Sequence, residues 1–304
     1  MKNTTRIAVI GDIHLHYDEW DNTYFNRSNY DMVLFVGDLG ELFHPQETLK
    51  IARLLSNLEK PAILIPGNHD VHNILQFIAE MIHSRLLAFL SGYYHFEYHE
   101  RLAAKLSPVA AGGYSIHPYQ GAGSRFDLIV TRPYAMGGSR VSYSPLLRRL
   151  FGVKNMEQSG RVLQKLVDLS EADELIFLAH NGPTGLGEEP TDIWGCDFDP
   201  EQGDFGDKDL GEAVKYAQES GKRVLAVVAG HMHLQTYLGP KPFWKRRGEP
   251  GPERPNVVEK EGVVYINAAR VPRIFERDGK MVHHHVCLEI SGQEVGVSDV
   301  FVHE

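Results

Sequence analysis

The feature that most constrains this chain is a short apolar run followed by a polar cluster, a pairing that recurs along the sequence. The runs are rich in Val, Ile, Leu and Ala and have the length of buried β-strands. The clusters are Gly11-Asp12-Ile13-His14, Gly37-Asp38-Leu39-Gly40-Glu41, Gly67-Asn68-His69-Asp70, Ala179-His180-Asn181 and Gly230-His231-Met232-His233. Each candidate for metal binding or catalysis therefore follows a predicted strand.

Helical patterns lie between several of these strands and predict a layered α/β fold. They cover Glu47 to Leu58, Ile74 to Leu90, Ser159 to Leu169 and Leu210 to Glu219. Because strand patterning resumes directly after the Pro- and Gly-rich basic stretch at about 239–256, that stretch is interpreted as a surface excursion and not as a linker. The prediction is a single domain over residues 1–304 that ends in a hairpin at about 283–302.

Composition excludes several classes of protein. The chain has 304 residues and a formal net charge of −9, which argues against a protein that coats nucleic acid. Its two cysteines, Cys196 and Cys287, provide neither a disulfide framework nor a Cys-rich zinc site, and they suit a reducing compartment. No secretion signal and no run long enough to cross a bilayer is recognisable, so we expect a cytoplasmic protein without a membrane partner.

The polar clusters have the composition of a metal site. Asp12 and His14, two residues apart at a strand end, can present an oxygen and a nitrogen on the same side, and His231 and His233 repeat this spacing. Asp38 offers two oxygens, enough to bridge two cations. The seven candidate ligands are Asp12, His14, Asp38, Asn68, His180, His231 and His233. Mixed oxygen and nitrogen ligands suit Mn²⁺, Fe or Zn²⁺ better than Ca²⁺, and their number predicts two divalent ions, with Mn²⁺ preferred.

The order of these motifs resembles the calcineurin-like metallophosphoesterase superfamily. The resemblance implies a four-layer αββα sandwich of two mixed sheets between outer helices, with the metal site at the carboxyl ends of the strands. It assigns one metal ion to Asp12, His14, Asp38 and His233, and the other to Asp38, Asn68, His180 and His231. Asp38 would then bridge the two ions.

Three further segments resemble the DevT-like branch of this superfamily, which is described as serine/threonine phosphatase-like and of cyanobacterial and plastid type. They are His180 to Gly187, Gly203 to Leu210 and Asn267 to Arg273. Serine/threonine phosphatases carry G-D-x-V-D-R-G and G-N-H-E, whereas this chain has Gly37 to Phe43 without the motif arginine, and Gly67-Asn68-His69-Asp70. This departure concerns specificity for phosphoproteins more than phosphoester hydrolysis.

The resemblance leads to a hydrolytic mechanism with two metal ions, a hydroxide that bridges them and in-line attack on phosphorus. His69 is not needed as a ligand and is expected to protonate the leaving oxygen, with Asp70 orienting its ring. Arg132 and Arg270 are candidates to grip the substrate phosphate because a guanidinium matches phosphate bidentately. Asn267, which follows a predicted strand, is a third candidate for substrate binding.

Several histidines and acidic residues have ordinary structural explanations. The triplet His283-His284-His285 is expected to be a surface feature, since alternation along a strand sends neighbours to opposite faces. The acidic loop Asp197 to Asp209 is interpreted as solvated and flexible, with a lid as the alternative. His16 and Glu41 lie beside the motifs. Each could cap a helix or turn, or could contact a metal ligand, and the sequence does not distinguish these roles.

Three functions therefore remain open from the sequence. The first is a phosphomonoesterase that acts on a small molecule or a phosphoprotein, and the second is a phosphodiesterase for cyclic nucleotides or other small diesters. A nucleic-acid substrate is disfavoured by the net charge. The third is a scaffold without catalysis, which is disfavoured because all seven candidate ligands and His69 are present. The sequence gives no oligomeric state.

Overall fold

The computed structural model describes residues 4–41, 44–71, 74–82, 84–121, 123–238 and 249–304. Its strands are β1 (Thr5–Ile10), β2 (Met32–Phe35), β3 (Ala62–Leu64), β4 (Ala110–Ala111), β5 (Ser115–Gly121), β6 (Ser124–Val130), β7 (Glu174–Leu178), β8 (Arg223–Ala229), β9 (Gln235–Leu238), β10 (Glu249–Glu253), β11 (Val257–Lys260), β12 (Val263–Asn267), β13 (Ile274–Arg277), β14 (Lys280–Ser291) and β15 (Glu294–His303). Its helices are α1 (Glu19–Arg27), α2 (Pro45–Leu55), α3 (Ile74–Met81), α4 (Arg85–Leu106), α5 (Ser144–Phe151), α6 (Met156–Leu169) and α7 (Lys208–Glu219).

Two mixed sheets carry the fold. The first has the order β13-β14-β1-β2-β3-β4, with β15 paired to β14, and its strands β1 to β4 are parallel. The second has the order β11-β12-β8-β7-β6-β5, and its strands β12, β8, β7 and β6 are parallel. The carboxyl ends of parallel strands share one edge of a sheet, so the polar loops that follow them meet there.

Both faces of the central strands of each sheet are buried, as their near-continuous apolar runs require. Ile7 and Val9 of β1 point into the layer between the sheets, where they join Val130 and Val228 of the second sheet. Alternate residues of β1 pack under α1, α2 and α4, and α5, α6 and α7 cover the outer face of the second sheet. The expected α/β architecture of mixed sheets flanked by helices is thereby confirmed.

The helices differ from the sequence prediction in three places. The single helix expected over Ile74 to Leu90 is divided into α3 and α4, and Ser84 caps α4 by accepting a hydrogen bond from the Leu87 amide. Two short helices, α1 and α5, were not expected. Helix α1 is polar and depends on a capping box between Asp18 and Asp21, a local signal weaker than an apolar stripe.

The C-terminal hairpin is formed by β14 and β15, which pair along their whole length. The expectation that His283, His284 and His285 lie on the surface is wrong, because all three side chains are buried in the first sheet. His283 faces Asp21, His284 faces Asp299 and His285 faces Tyr30. When a strand is covered on both faces, consecutive side chains are buried even though they point to opposite faces.

The expected excursion at about 239–256 is described only in part, since residues 239–248 lie outside the described residues. Its described part includes β10, which pairs with β9 as a two-stranded sheet. The single-domain organisation stays a prediction. Within the described ranges, no helix has both the length and the apolar character needed to cross a bilayer.

Candidate metal centre

The candidate ligands lie just beyond the carboxyl ends of five parallel strands. Asp12 follows β1, Asp38 follows β2 and Asn68 follows β3 in the first sheet. His180 follows β7 and His231 follows β8 in the second. The two sheets thus contribute to one group of side chains at one end of the sandwich.

One half of this group consists of Asp12, His14 and His233, whose possible ligand atoms lie within 4.8 Å of one another. The Nε2 atoms of His14 and His233 are 3.1 Å apart, and Nε2 of His233 is 3.4 Å from Oδ2 of Asp12. Both oxygens of Asp12 also accept a hydrogen bond from the His231 amide at 3.1 Å. That bond ties the β1 loop to the β8 loop.

The other half consists of Asp38, His180 and His231, again within 4.8 Å of one another. Nε2 of His180 is 3.5 Å from Oδ1 of Asp38 and 2.8 Å from Oδ1 of Asn68. The second carboxylate oxygen of Asp38 is 3.7 Å from Nε2 of His14. Asp38 therefore lies between the two halves and reaches both.

These separations fit shared metal ions. Two ligand atoms that are each about 2.1 Å from a common ion lie roughly 3.0–3.4 Å apart, depending on the coordination geometry. The distances of 3.1 and 3.4 Å within the first half fall in that interval. Nδ1 of His180 is 2.6 Å from the Val36 carbonyl, which can only accept, so Nδ1 donates and Nε2 is turned toward Asp38.

The charges in the group are complementary. Burial opposes ionisation of Asp12, but His233, His180 and His14 outweigh it and lower the pKa of Asp12. Burial likewise opposes protonation of His14, yet Glu41, Asp38 and Asp12 raise its pKa to about 9. The carboxylates thus favour positive charge among the imidazoles, which is the electrostatic condition for holding a cation.

The backbone around the ligands is unusual. His14, Asp38 and His231 have φ values of 42°, 50° and 67°, in the left-handed region that non-glycine residues seldom adopt. A Cβ at Gly67 would lie 2.2 Å from Oδ1 of Asp38, and a Cβ at Gly230 would lie 2.3 Å from Oδ1 of Asp12. Strained ligands and glycines pressed against them are typical of a functional site.

His69 lies at the rim of the first half, with its ring centroid 4.8 Å from that of His14. Its Nδ1 is 4.0 Å from Oε2 of Glu41, whose other oxygen is 3.4 Å from Nδ1 of His14. The role expected for Asp70, to orient the His69 ring, is not supported. The Asp70 carboxylate accepts from the backbone amides of Leu39 and Gly67 instead, at 2.8 Å each, and so braces the two motif loops.

Glu41 is thus the acidic side chain that the structure places against the His69 ring. The sequence left it undecided between a helix cap and a neighbour of the ligands. Its position four residues into the Gly37 to Glu41 motif is the only sequence signal for this placement. His16, for which the sequence also left both roles open, contacts Arg273 through its backbone: the His16 carbonyl accepts a hydrogen bond from the Arg273 guanidinium at 3.0 Å.

The three substrate-binding candidates have environments different from those expected. The Arg132 guanidinium is enclosed and lies 2.8 Å from carboxylate oxygens of both Asp207 and Asp209, so its charge is already matched. Asn267 is buried, and its amide donates to two backbone carbonyls. Arg270 is partly exposed and paired bidentately with Glu253 at 3.1 Å. These geometries favour structural roles for Arg132 and Asn267.

The acidic loop is anchored at both ends, whereas its middle is exposed as the sequence indicated. Asp207 and Asp209 are buried, and Asp207 approaches the side-chain amide of Asn181, the residue after His180. At the other end of the loop, Asp197 pairs with Arg254 at 2.7 Å. Arg254 also donates to the His233 carbonyl at 3.0 Å, a supporting contact that no local pattern could have indicated.

Comparison with known proteins agrees with this arrangement. A sequence model of a family described as calcineurin-like phosphoesterase matches residues 5–235. Among solved structures, phosphopantetheinyl hydrolase from Mycobacterium tuberculosis is 13% identical, with 89% of this chain and 91% of that chain covered and a TM-score of 0.52. A dimetal phosphatase from Danio rerio is 14% identical over 98% of each chain, with a TM-score of 0.48.

At these identities the likeness shows the fold alone. No curated protein matches the chain significantly.

Proposed function

The chain belongs to the calcineurin-like phosphoesterase family, a family of metal-dependent phosphoester hydrolases, and from this premise we propose that its substrates are phosphomonoesters. The joined pair of ligand clusters, in which Asp38 reaches both halves, supports hydrolysis of a phosphoester at this site. The three segments that resemble DevT-like phosphatases favour a monoester over a diester. We further propose, on its three resembling segments, that the chain belongs to the DevT-like branch, that Mn²⁺ is its resident metal and that it is located in the cytoplasm.

The proposed ligands divide as the two clusters do. One ion would be held by Asp12, His14, Asp38 and His233, and the other by Asp38, Asn68, His180 and His231. When bound, the two ions supply positive charge for the phosphoryl oxygens and activate water for in-line attack. The chain's contribution is a set of ligands whose positions are determined by two sheets and by hydrogen bonds to the backbone.

His69 is proposed as the acid that protonates the leaving oxygen. It flanks His14 without belonging to either proposed ligand set, so its ring can reach a substrate held at the ions. Its backbone amide donates to Oδ1 of Asp38 at 2.7 Å, which sets its position relative to the bridging carboxylate. Glu41, beside Nδ1 of His69, would hold the ring and stabilise its charged form.

The test compares a chromogenic phosphomonoester with the matching diester, using Mn²⁺-loaded protein and Asp38→Ala as the control. Preference for the monoester supports the proposal, and loss of activity in the control ties that activity to this site. Preference for the diester would replace the proposal with a phosphodiesterase for small diesters. No hydrolysis of either ester by protein that binds its metal would contradict both.

The role of His69 predicts a specific effect of His69→Ala. Loss of a positioned general acid should lower kcat by about 10²–10³-fold while two metal ions stay bound, because His69 belongs to neither proposed ligand set. Glu41→Gln should lower kcat by about tenfold, and the matched control Glu47→Gln, an exposed residue of α2, should leave kcat unchanged. Unchanged kcat in His69→Ala, or loss of its metal, would show that the assignment is wrong.

A further inference from the structure

Most of the large apolar side chains that are exposed among the described residues lie in one region. Of the eleven exposed large hydrophobic residues among those described, eight lie between positions 75 and 94, on α3, on the start of α4 and on the turn between them. They are Leu75, Ile78, Ile82, Leu86, Leu87, Phe89, Leu90 and Tyr94. We call this region the α3–α4 face. Single exposed apolar side chains are scattered over every protein surface, whereas these eight are concentrated on one pair of helices.

The start of α4 has large residues outside and small residues inside. Leu86 and Leu90, one turn apart, face outward, whereas Ala88 and Gly92, also one turn apart, face inward. A Cβ at Gly92 would lie 3.3 Å from Pro145 of α5, so the inner side has no room for a larger residue. An amphipathic helix of a monomeric protein has the opposite arrangement.

The size of the α3–α4 face corresponds to a protein interface. At roughly 200 Å² for a large apolar side chain, eight side chains that are 37 to 73% exposed present on the order of 800–900 Å². That exceeds the largest apolar patch of a typical monomer, about 300–600 Å². It equals the area of about 800 Å² that each partner contributes to a stable complex of standard size.

Charge argues against a membrane surface as the occupant. Helices that lie on anionic membranes carry Lys and Arg along their polar side. Between positions 75 and 94 the only charged residues are Glu80 and Arg85, and the chain has a net charge of −9. An apolar face almost without charge suits a partner surface of the same composition, which is the composition of homodimer interfaces.

We propose that the α3–α4 face packs against the same face of a second copy of this chain. A two-fold axis would bring two helical hairpins together and bury both faces at once, since an isologous interface uses one surface twice. The interface would lie beside the metal centre, because Phe77 of α3 places its ring 5.9 Å from the His69 ring.

Sedimentation velocity of the full-length, metal-loaded protein over a wide concentration range tests the proposal. We expect a species of twice the 34.2 kDa chain mass. Leu86→Glu and Phe89→Glu should each weaken the dimer by at least about tenfold, because each buries a charge in its apolar centre. The matched control Leu169→Glu, an exposed leucine at the end of α6, should leave the dimer intact.

Hydrogen exchange of the wild-type protein gives a second measurement that needs no variant. Amides of the stretch 75–94 should exchange more slowly at high than at low protein concentration. A wild-type protein that stays monomeric throughout would overturn the proposal. So would a dimer that is weakened by Leu169→Glu and not by the two α4 variants, or a monomer that binds neutral phosphatidylcholine vesicles through the α3–α4 face.

Discussion

His285 is a buried histidine whose neutral form the fold requires. It lies on β14 and is enclosed by the rings of Tyr24, Phe25 and Tyr30 at centroid distances of 5.1 to 5.6 Å. The Tyr30 hydroxyl lies 2.7 Å from Nε2 of His285, within hydrogen-bond distance. Burial, and then the nearby Arg273, lower the pKa of His285 to about 3.

This shift makes stability depend on pH with a definite sign. The unfolded chain binds a proton at His285 below about pH 6.5, whereas the folded chain does not until about pH 3. Between these values the free energy of unfolding falls with decreasing pH, by up to about 1.4 kcal/mol per pH unit from this residue. From about pH 6.5 to 4.5 the loss amounts to about 2 kcal/mol, a substantial part of a typical stability of about 5–15 kcal/mol.

His285→Gln removes this titration. At pH 7 it should cost about 1–3 kcal/mol through imperfect hydrogen bonding with Tyr30. Near pH 4.5 that cost should vanish or reverse, because the wild type has lost stability there that the variant has not. Urea unfolding followed by circular dichroism across this pH range measures the difference. His303→Gln, at an exposed position of β15, is the matched control and should track the wild type. If the difference in the free energy of unfolding between wild type and variant stays constant from pH 7 to 4.5, the reasoning is refuted.

Three further perturbations probe the ion pairs and the metal centre. Asp21 is paired bidentately with buried Arg273. The guanidinium outweighs the effect of burial and lowers the pKa of Asp21 to about 2. The stabilisation that the ion pair provides is therefore present above about pH 4 and is lost as the pH falls through about 2. Asp21→Asn should therefore cost about 3–5 kcal/mol at pH 7 by urea unfolding, and no loss would contradict the pairing. Gly67→Ala should weaken Mn²⁺ binding by at least about tenfold in calorimetric titration by displacing Asp38, whereas Gly160→Ala on α6 should not. Chelation of divalent ions should lower Tm, and Mn²⁺ should restore it, since binding to the folded state alone stabilises it; an unchanged Tm would contradict a resident metal.

The strands that lead to the candidate site could be predicted well from local pattern. The runs beginning at Ile7, Met32 and Ala62 are strands within one or two residues of the predicted limits, because a strand buried on both faces needs an unbroken apolar run. Helix α1 was missed for the opposite reason: it is short and polar, and the capping box of Asp18 and Asp21 is a weaker signal than an apolar stripe. The split between α3 and α4 was missed because an apolar pattern continues across Ser84.

The sequence by itself determined which chemistry the chain carries and at which strand ends it lies. Residue type sets ligand chemistry, and the position after a strand sets which edge of the sheet a side chain reaches. Both are local properties, so the seven candidate ligands and the α/β class could be recognised without a structure.

Only the tertiary structure decided which of these residues meet. His14 and His233 are 219 positions apart, yet their nitrogens lie 3.1 Å from each other. Likewise, Asp70 braces backbone amides while Glu41 lies against the His69 ring, an arrangement set by how two motif loops cross. Whether a charged side chain is free for a substrate or neutralised in the interior depends on what packs against it, and a residue's sequence neighbours do not contain that information.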